Sequence, residues 1–173
     1  MSRLPMLCAV ACLVVGCVPI CSLGPFYEED DVVFEERLLG VYGGADDEDG
    51  GRCTFKRAEG GGYEIVFSDA EGKQQVCYSG RLFRVREALM LDLTCGQGNA
   101  IPEMCRIVLL QVHAPLFVDS IEPLKLSFLT QKWLDGYLRD HPDEIRHEIA
   151  DGRAVLTAKA RDLQEFVLRH RAD

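Results

Sequence analysis

Between Arg37 and Phe128, short apolar runs recur at roughly ten-residue spacing, separated by glycine-rich turns. Intervals that short hold strands and not helices, so this span must fold back on itself as an antiparallel meander. "RLLGVY" (37–42) is the first short strand, and the turn "GGADDEDGG" follows with four glycines. "RCTFKR" alternates, placing Cys53 and Phe55 on one face, and "YEIVFS" does the same with Tyr63, Ile65 and Phe67. "QVCYSGRLFRV" aligns Val76, Tyr78, Gly80 and Leu82, where Gly80 marks a bulge or bend. "LMLDLT" aligns Leu89, Leu91 and Leu93. After the loop "CGQGNAIPEMC", the nearly all-apolar "RIVLLQV" predicts a strand buried on both faces. Pro123 confines the following "LKLSF" to a sheet edge.

Beyond Phe128 the period changes. "TQKWLDGYLRD" carries Trp133, Leu134, Tyr137 and Leu138 at helical spacing, with Thr130 as N-cap. Pro142 ends that helix. "EIRHEIA" and "RAVLTA" flank Asp151-Gly152, a favoured type I′ hairpin turn. "AKARDLQEFVLRHR" is a second amphipathic helix with Ala160, Leu163, Phe166 and Val167 on its apolar stripe. The predicted class is α+β: a curved, barrel-like antiparallel meander with two packed helices, the last at the C-terminus.

Charge is local. The segment from Glu28 to Asp49 holds ten acids and one base, Arg37, so it carries −9, and the whole chain is also −9. The rest sums to zero. No broad basic face results, which argues against nucleic-acid binding.

The N-terminus places the protein. Met1–Arg3 is a short basic start, and Leu4 to Val15 is a continuous apolar stretch. As a helix it would reach roughly 18 Å, too short for about 30 Å of hydrocarbon but normal for a signal-peptide core. Val14-Val15-Gly16-Cys17 follows. This resembles the lipobox of bacterial lipoproteins. The resemblance implies a diacylglyceryl group on the Cys17 sulfur, cleavage before Cys17, and further acylation with a fatty acid such as palmitate. It also implies the outer membrane in a two-membrane cell, facing the periplasm, because Val18 is not the aspartate of inner-membrane retention. Two alternatives stay open: a spanning anchor extended to Leu23, and plain secretion. The expected organisation is a signal peptide over 1–16, a lipidated acidic tether over 17–36, and one α+β domain over 37–173.

Two further resemblances bear on the body. "LLGVY", with Gly40 two residues before Tyr42, is faintly similar to the Gly-x-Trp start of lipocalins. "KWLDGYLRDHPDEIRHE" with "VLTAKARDLQEFVLRH", together with "SGRLFRV" and "LMLDL", resembles small bacterial lipoproteins of uncharacterised function. That resemblance implies architecture and placement and brings no catalytic residues.

Candidate site residues are few. After Cys17 come Cys21, Cys53, Cys77, Cys95 and Cys105. Export permits disulfides, and Cys95 with Cys105 is the best-placed pair, worth on the order of 2–3 kcal/mol. A thiol nucleophile at Cys95 with His113 as base is one hydrolytic reading. The run "HPDEIRHE" offers His141, Asp143, Glu144, His147 and Glu148, but its histidines are six apart, off the i, i+4 spacing of a helical metal pair. "ADDEDGG" fails as a calcium loop, since aligning Gly50 puts Ala45 and Lys56 at ligand positions. "EGGGYE" opens a strand and not a helix, so it is no phosphate cradle. No metal or cofactor is expected.

The leading expectation is a membrane-anchored, non-enzymatic binding or interaction module of the envelope, its partner a small apolar ligand or an envelope protein. Tyr63, Phe67, Tyr78 and Leu91 would line a pocket if the sheet closes, or fill its core. An envelope hydrolase using Cys95 and His113 or the His141–Glu148 cluster is the first alternative, and a structural envelope protein the second.

Overall fold

The computed structural model describes residues 18–43, 51–69, 71, 75–96 and 111–171. The first seven strands are β1 (Gly40–Tyr42), β2 (Arg52–Arg57), β3 (Tyr63–Ser68), β4 (Gln75–Val85), β5 (Ala88–Cys95), β6 (His113–Ile121) and β7 (Leu124–Ser127). Helix α1 (Gln131–Asp140), strands β8 (His147–Ala150) and β9 (Arg153–Leu156), and helix α2 (Ala160–Arg169) follow. Strands β1 to β7 form one antiparallel sheet in chain order, and β8 pairs with β9. The seven-stranded sheet is nearly closed, with two helices and the last at the C-terminus. The charge of Glu122, in the β6–β7 turn, is felt at Arg37, just before β1, and at Tyr42, the last residue of β1.

Alternation sorts the sheet into two faces. Phe55, Tyr63, Ile65, Phe67, Tyr78, Leu82, Leu91, Leu93 and Leu116 point inward and share one core. On the outer face Phe83, Met90 and Phe117 meet Leu134 and Leu138 of α1 and Leu163, Phe166 and Val167 of α2. The central strands are therefore buried on both sides, each such side chain contributing about 1.5–3 kcal/mol. Gly80 holds its register against both Tyr63 and Leu93, so no bulge forms there. Its role is room: a Cβ would stand 2.8 Å from Ile65 Cδ1 and 3.1 Å from Leu91 Cδ1. The register shift lies instead between Val118 and Ser120, where β6 meets β7.

Strand β6 departs from the sequence reading, which placed the strand in "RIVLLQV"; residues 106–110 lie outside the described residues. "HAPLFVDSI" is a strand paired on both sides although it contains Pro115. The His113 N–H donates to Ser22 O, away from β5. Backbone groups two residues on point the same way. There β7 pairs only from Phe117 onward, so the missing N–H of Pro115 forfeits no ladder bond.

The expected edge position of "LKLSF" holds, as β7 ends the sheet. Asp151 and Gly152 both have positive φ (49° and 74°), as a type I′ turn requires. Thr130 Oγ accepts from Trp133 N at 3.2 Å, capping α1.

The acidic tether is a correction. Residues 18–36 are docked on the globule. Ile20 N donates to Leu129 O and Gln131 N to Val18 O. Ser22 exchanges both backbone bonds with His113, Leu23 N donates to Leu156 O, and Leu156 N to Cys21 O. This strip joins the barrel wall to the β8–β9 hairpin. Ile20, Ser22 and Phe26 are fully buried. Further on, Val33 N donates to Leu82 O, and Phe34 stacks on Tyr63 at 4.9 Å, packed against the inner core. The apolar residues scattered among the acids supply the docking free energy. The acids themselves stay outside, Glu28 pairing with Arg161, Glu35 with Arg37 and Glu36 with Arg57.

Candidate functional site

The expected interior pocket is occupied by its own lining. Tyr63 packs edge-on to Phe55 at 6.1 Å, and Phe67 edge-on to Tyr78 at 5.7 Å. The Tyr63 hydroxyl donates to Glu35 O at 3.0 Å and accepts from Glu35 N at 2.8 Å. Together with Leu91, which is fully buried, these residues form the barrel core.

The thiols divide by environment. Burial pushes the Cys21 and Cys53 thiols up to about 12, which leaves almost no thiolate near neutral pH. Cys53 and Cys77 sit on β2 and β4, with β3 between them, and both are free. Cys95 is disulfide-bonded. Cys105 and Cys17 lie outside the described residues.

Cys95 and His113 do not converge. Thr94 is the register partner of His113, so His113 shares the outer face with Thr94 and Asp92. Cys95, one residue on, belongs to the inner core with Leu91 and Leu93. The sheet itself separates them. His113 Nδ1 instead lies 2.7 Å from Asp92 Oδ2. Asp92 is 1% exposed, and burial raises its carboxyl above the usual value against the opposing pull of His113. Its Oδ1 lacks a hydrogen bond of normal geometry, the Phe26 N–H attracting the carboxylate only loosely. Ser22, across the strand from His113, donates its hydroxyl to Leu156 O and not to the imidazole. The strip is held there by the two backbone bonds between Ser22 and His113 and not by the imidazole.

The His141–Glu148 cluster is also dispersed. His141 Nδ1 faces Tyr137 O at 3.1 Å, His147 Nδ1 faces Ile145 O at 2.9 Å, and Glu144 pairs with Arg169. Among the described residues no three His, Cys, Asp or Glu side chains gather as metal ligands. Of the calcium-like turn 45–51 only Gly51 lies among the described residues; Lys56, which would stand at the last ligand position, pairs with Glu64 at 3.8 Å.

The structure instead presents an open groove of about 490 Å³ along the outer face of α1. Two rows of side chains, each spaced i, i+4, i+8, border it. One row is aromatic: Trp133 stacks on Tyr137 at 5.2 Å and 19°, and Tyr137 on His141 at 4.4 Å and 14°. The other row is Lys132, Gly136 and Asp140. Phe166 and His170 of the α2 end brace the aromatic row from behind. A Cβ on Gly136 would meet nothing within 4 Å. This mid-helix glycine costs about 1 kcal/mol relative to alanine with no steric need, and it keeps the trough open. Sequence reasoning assigned Trp133 and Tyr137 to the buried stripe; the signal it passed over was Gly136 between them.

The chain matches no protein-family model, no curated protein and no solved structure.

Proposed function

We propose that this protein is a lipoprotein of the bacterial envelope, anchored through Cys17, whose globular domain acts as a non-enzymatic interaction module. The observation that carries this reading is the lipobox-like Val14-Val15-Gly16-Cys17, and the docking of residues 18–23 weighs against a spanning anchor. A spanning anchor would need the apolar run to continue to Leu23. Val18 to Leu23 are instead bonded into the globule by five backbone hydrogen bonds to Leu129, Gln131, His113 and Leu156, the return bond from His113 being a sixth. What remains, Leu4 to Cys17, would make a helix of roughly 21 Å, well short of about 30 Å of hydrocarbon. Among the described residues no helix is long and apolar enough to cross a membrane. A cleaved leader with a lipidated cysteine accommodates the docked strip, and two or more acyl chains supply stable attachment where one would not.

Support for an interaction module comes from the filled barrel and from the separation of Cys95 from His113. The recognising surface is then external, and the open groove along α1 is one candidate for it. Cys95 closes a loop with Cys105 in this reading, as export permits.

Replacing Cys17 with Ala tests the anchor. Lipid labelling should vanish and the protein should leave the membrane fraction. Unchanged membrane retention would restore the spanning anchor.

A further inference from the structure

We propose that the grooved face of α1 rests on the lipid–water interface of a phospholipid membrane, an inference that builds on the lipidation of Cys17. The anchor has no slack. The Val18 carbonyl accepts from Gln131 N, the first N–H of α1, and Pro19 bridges Thr130. Read backwards from Ile20 to Val18, the strip runs antiparallel to 129–131, towards the head of α1. Cys17 is the next residue, its Cα about 3.8 Å from that of Val18. Acyl chains on its sulfur occupy the hydrocarbon, so the head of α1 must lie in the headgroup layer.

The side chains there suit that layer. Trp133 and Tyr137 are half-buried and line the groove. Tryptophan and tyrosine concentrate at membrane interfaces because one part of each ring system is apolar and another is polar. Lys132 is exposed beside Trp133 and can reach lipid phosphate. Gly136 leaves nothing projecting between the two rows. Along the groove's second row Lys132 sits at the end near the anchor, and Asp140, beside Arg139, lies about 12 Å farther along.

Trp133 is the chain's only tryptophan, so its fluorescence reports this face alone. The natural full-length protein, extracted from membranes, is reconstituted into vesicles of phosphatidylethanolamine and phosphatidylglycerol, with its mass recorded in parallel. Docking predicts a blue shift of Trp133 emission, and loss of emission when bromine is carried on shallow acyl carbons, less when it is deep. Lys132→Glu, at an exposed position, should weaken that quenching. Lipid present on Cys17 with identical emission in brominated and plain vesicles would overturn the docking and leave the anchor standing. Emission that ignores lipid but shifts with soluble peptidoglycan fragments would assign the groove to a glycan and also overturn it. A mass without lipid overturns the anchoring reading first, and the docking with it.

Discussion

Truncating Phe26 to alanine separates a docked N-terminal strip from a solvated spacer. Phe26 is fully buried against the outer core formed by the sheet and α2, and its carbonyl accepts from Gln164 Nε2 at 3.0 Å. Core Phe→Ala changes cost about 3–5 kcal/mol through lost transfer free energy and the cavity left behind. Phe26 lies outside any helix or strand and its segment can partly collapse into the space, so the lower figure applies, about 3 kcal/mol. Against a total stability of roughly 5–15 kcal/mol this is a large fraction. With a urea slope of about 1–3 kcal/mol per molar, the unfolding midpoint should fall by ~1–3 M at unchanged slope. Equilibrium urea unfolding, followed by Trp133 fluorescence and far-ultraviolet circular dichroism, reads it. A change within about 0.5 kcal/mol, the range of ordinary surface substitutions, would refute the docking.

The same glycine-to-alanine exchange should have opposite signs at two positions. Gly80→Ala forces a Cβ into Ile65 and Leu91 and should cost about 1–3 kcal/mol, whereas Gly136→Ala meets only open space and should gain about 1 kcal/mol; thermal melts of both variants decide. Burial raises the Asp92 carboxyl, so its protonated form favours the fold: that contribution is complete below its usual 3.8 and is lost as pH rises through the raised value. Relative to Asp92→Asn, wild type should therefore lose stability as pH climbs from about 3.8 towards neutrality, and a flat difference between the two urea titrations would show an aspartate that titrates as if exposed. Alkylation of the native protein at mildly alkaline pH should reach the Cys77 peptide long before those of Cys21 and Cys53, whose thiols burial holds at about 12; equal labelling by peptide mass spectrometry would contradict their burial.

Strands β2, β3 and β4 were legible to their end residues because strict alternation between glycine turns leaves one register that buries Phe55, Ile65 and Tyr78 together. The helices were legible for the same kind of reason, a 3.6-residue stripe behind the Thr130 cap. Strand β6 was hidden by Pro115, whose harmlessness depends on where β7 begins to pair, a fact absent from local sequence. The strip from Val18 to Glu36 was hidden by its charge. Its acids describe the outer face only, while Ile20, Phe26 and Phe34, too widely spaced to form a periodic pattern, fix the inner one. The groove was obscured because helical spacing identifies which residues share a face but not whether that face is covered. Trp133 and Tyr137 lie on the margin of the stripe whose centre is Leu134 and Leu138.

The intact mass of the protein extracted from the membranes of its own cell tests the central claim most directly. The account predicts a chain that starts at Cys17 and carries diacylglycerol on its sulfur together with an acyl group on its amine. A chain that starts at Met1 with an unmodified thiol at Cys17 would contradict it.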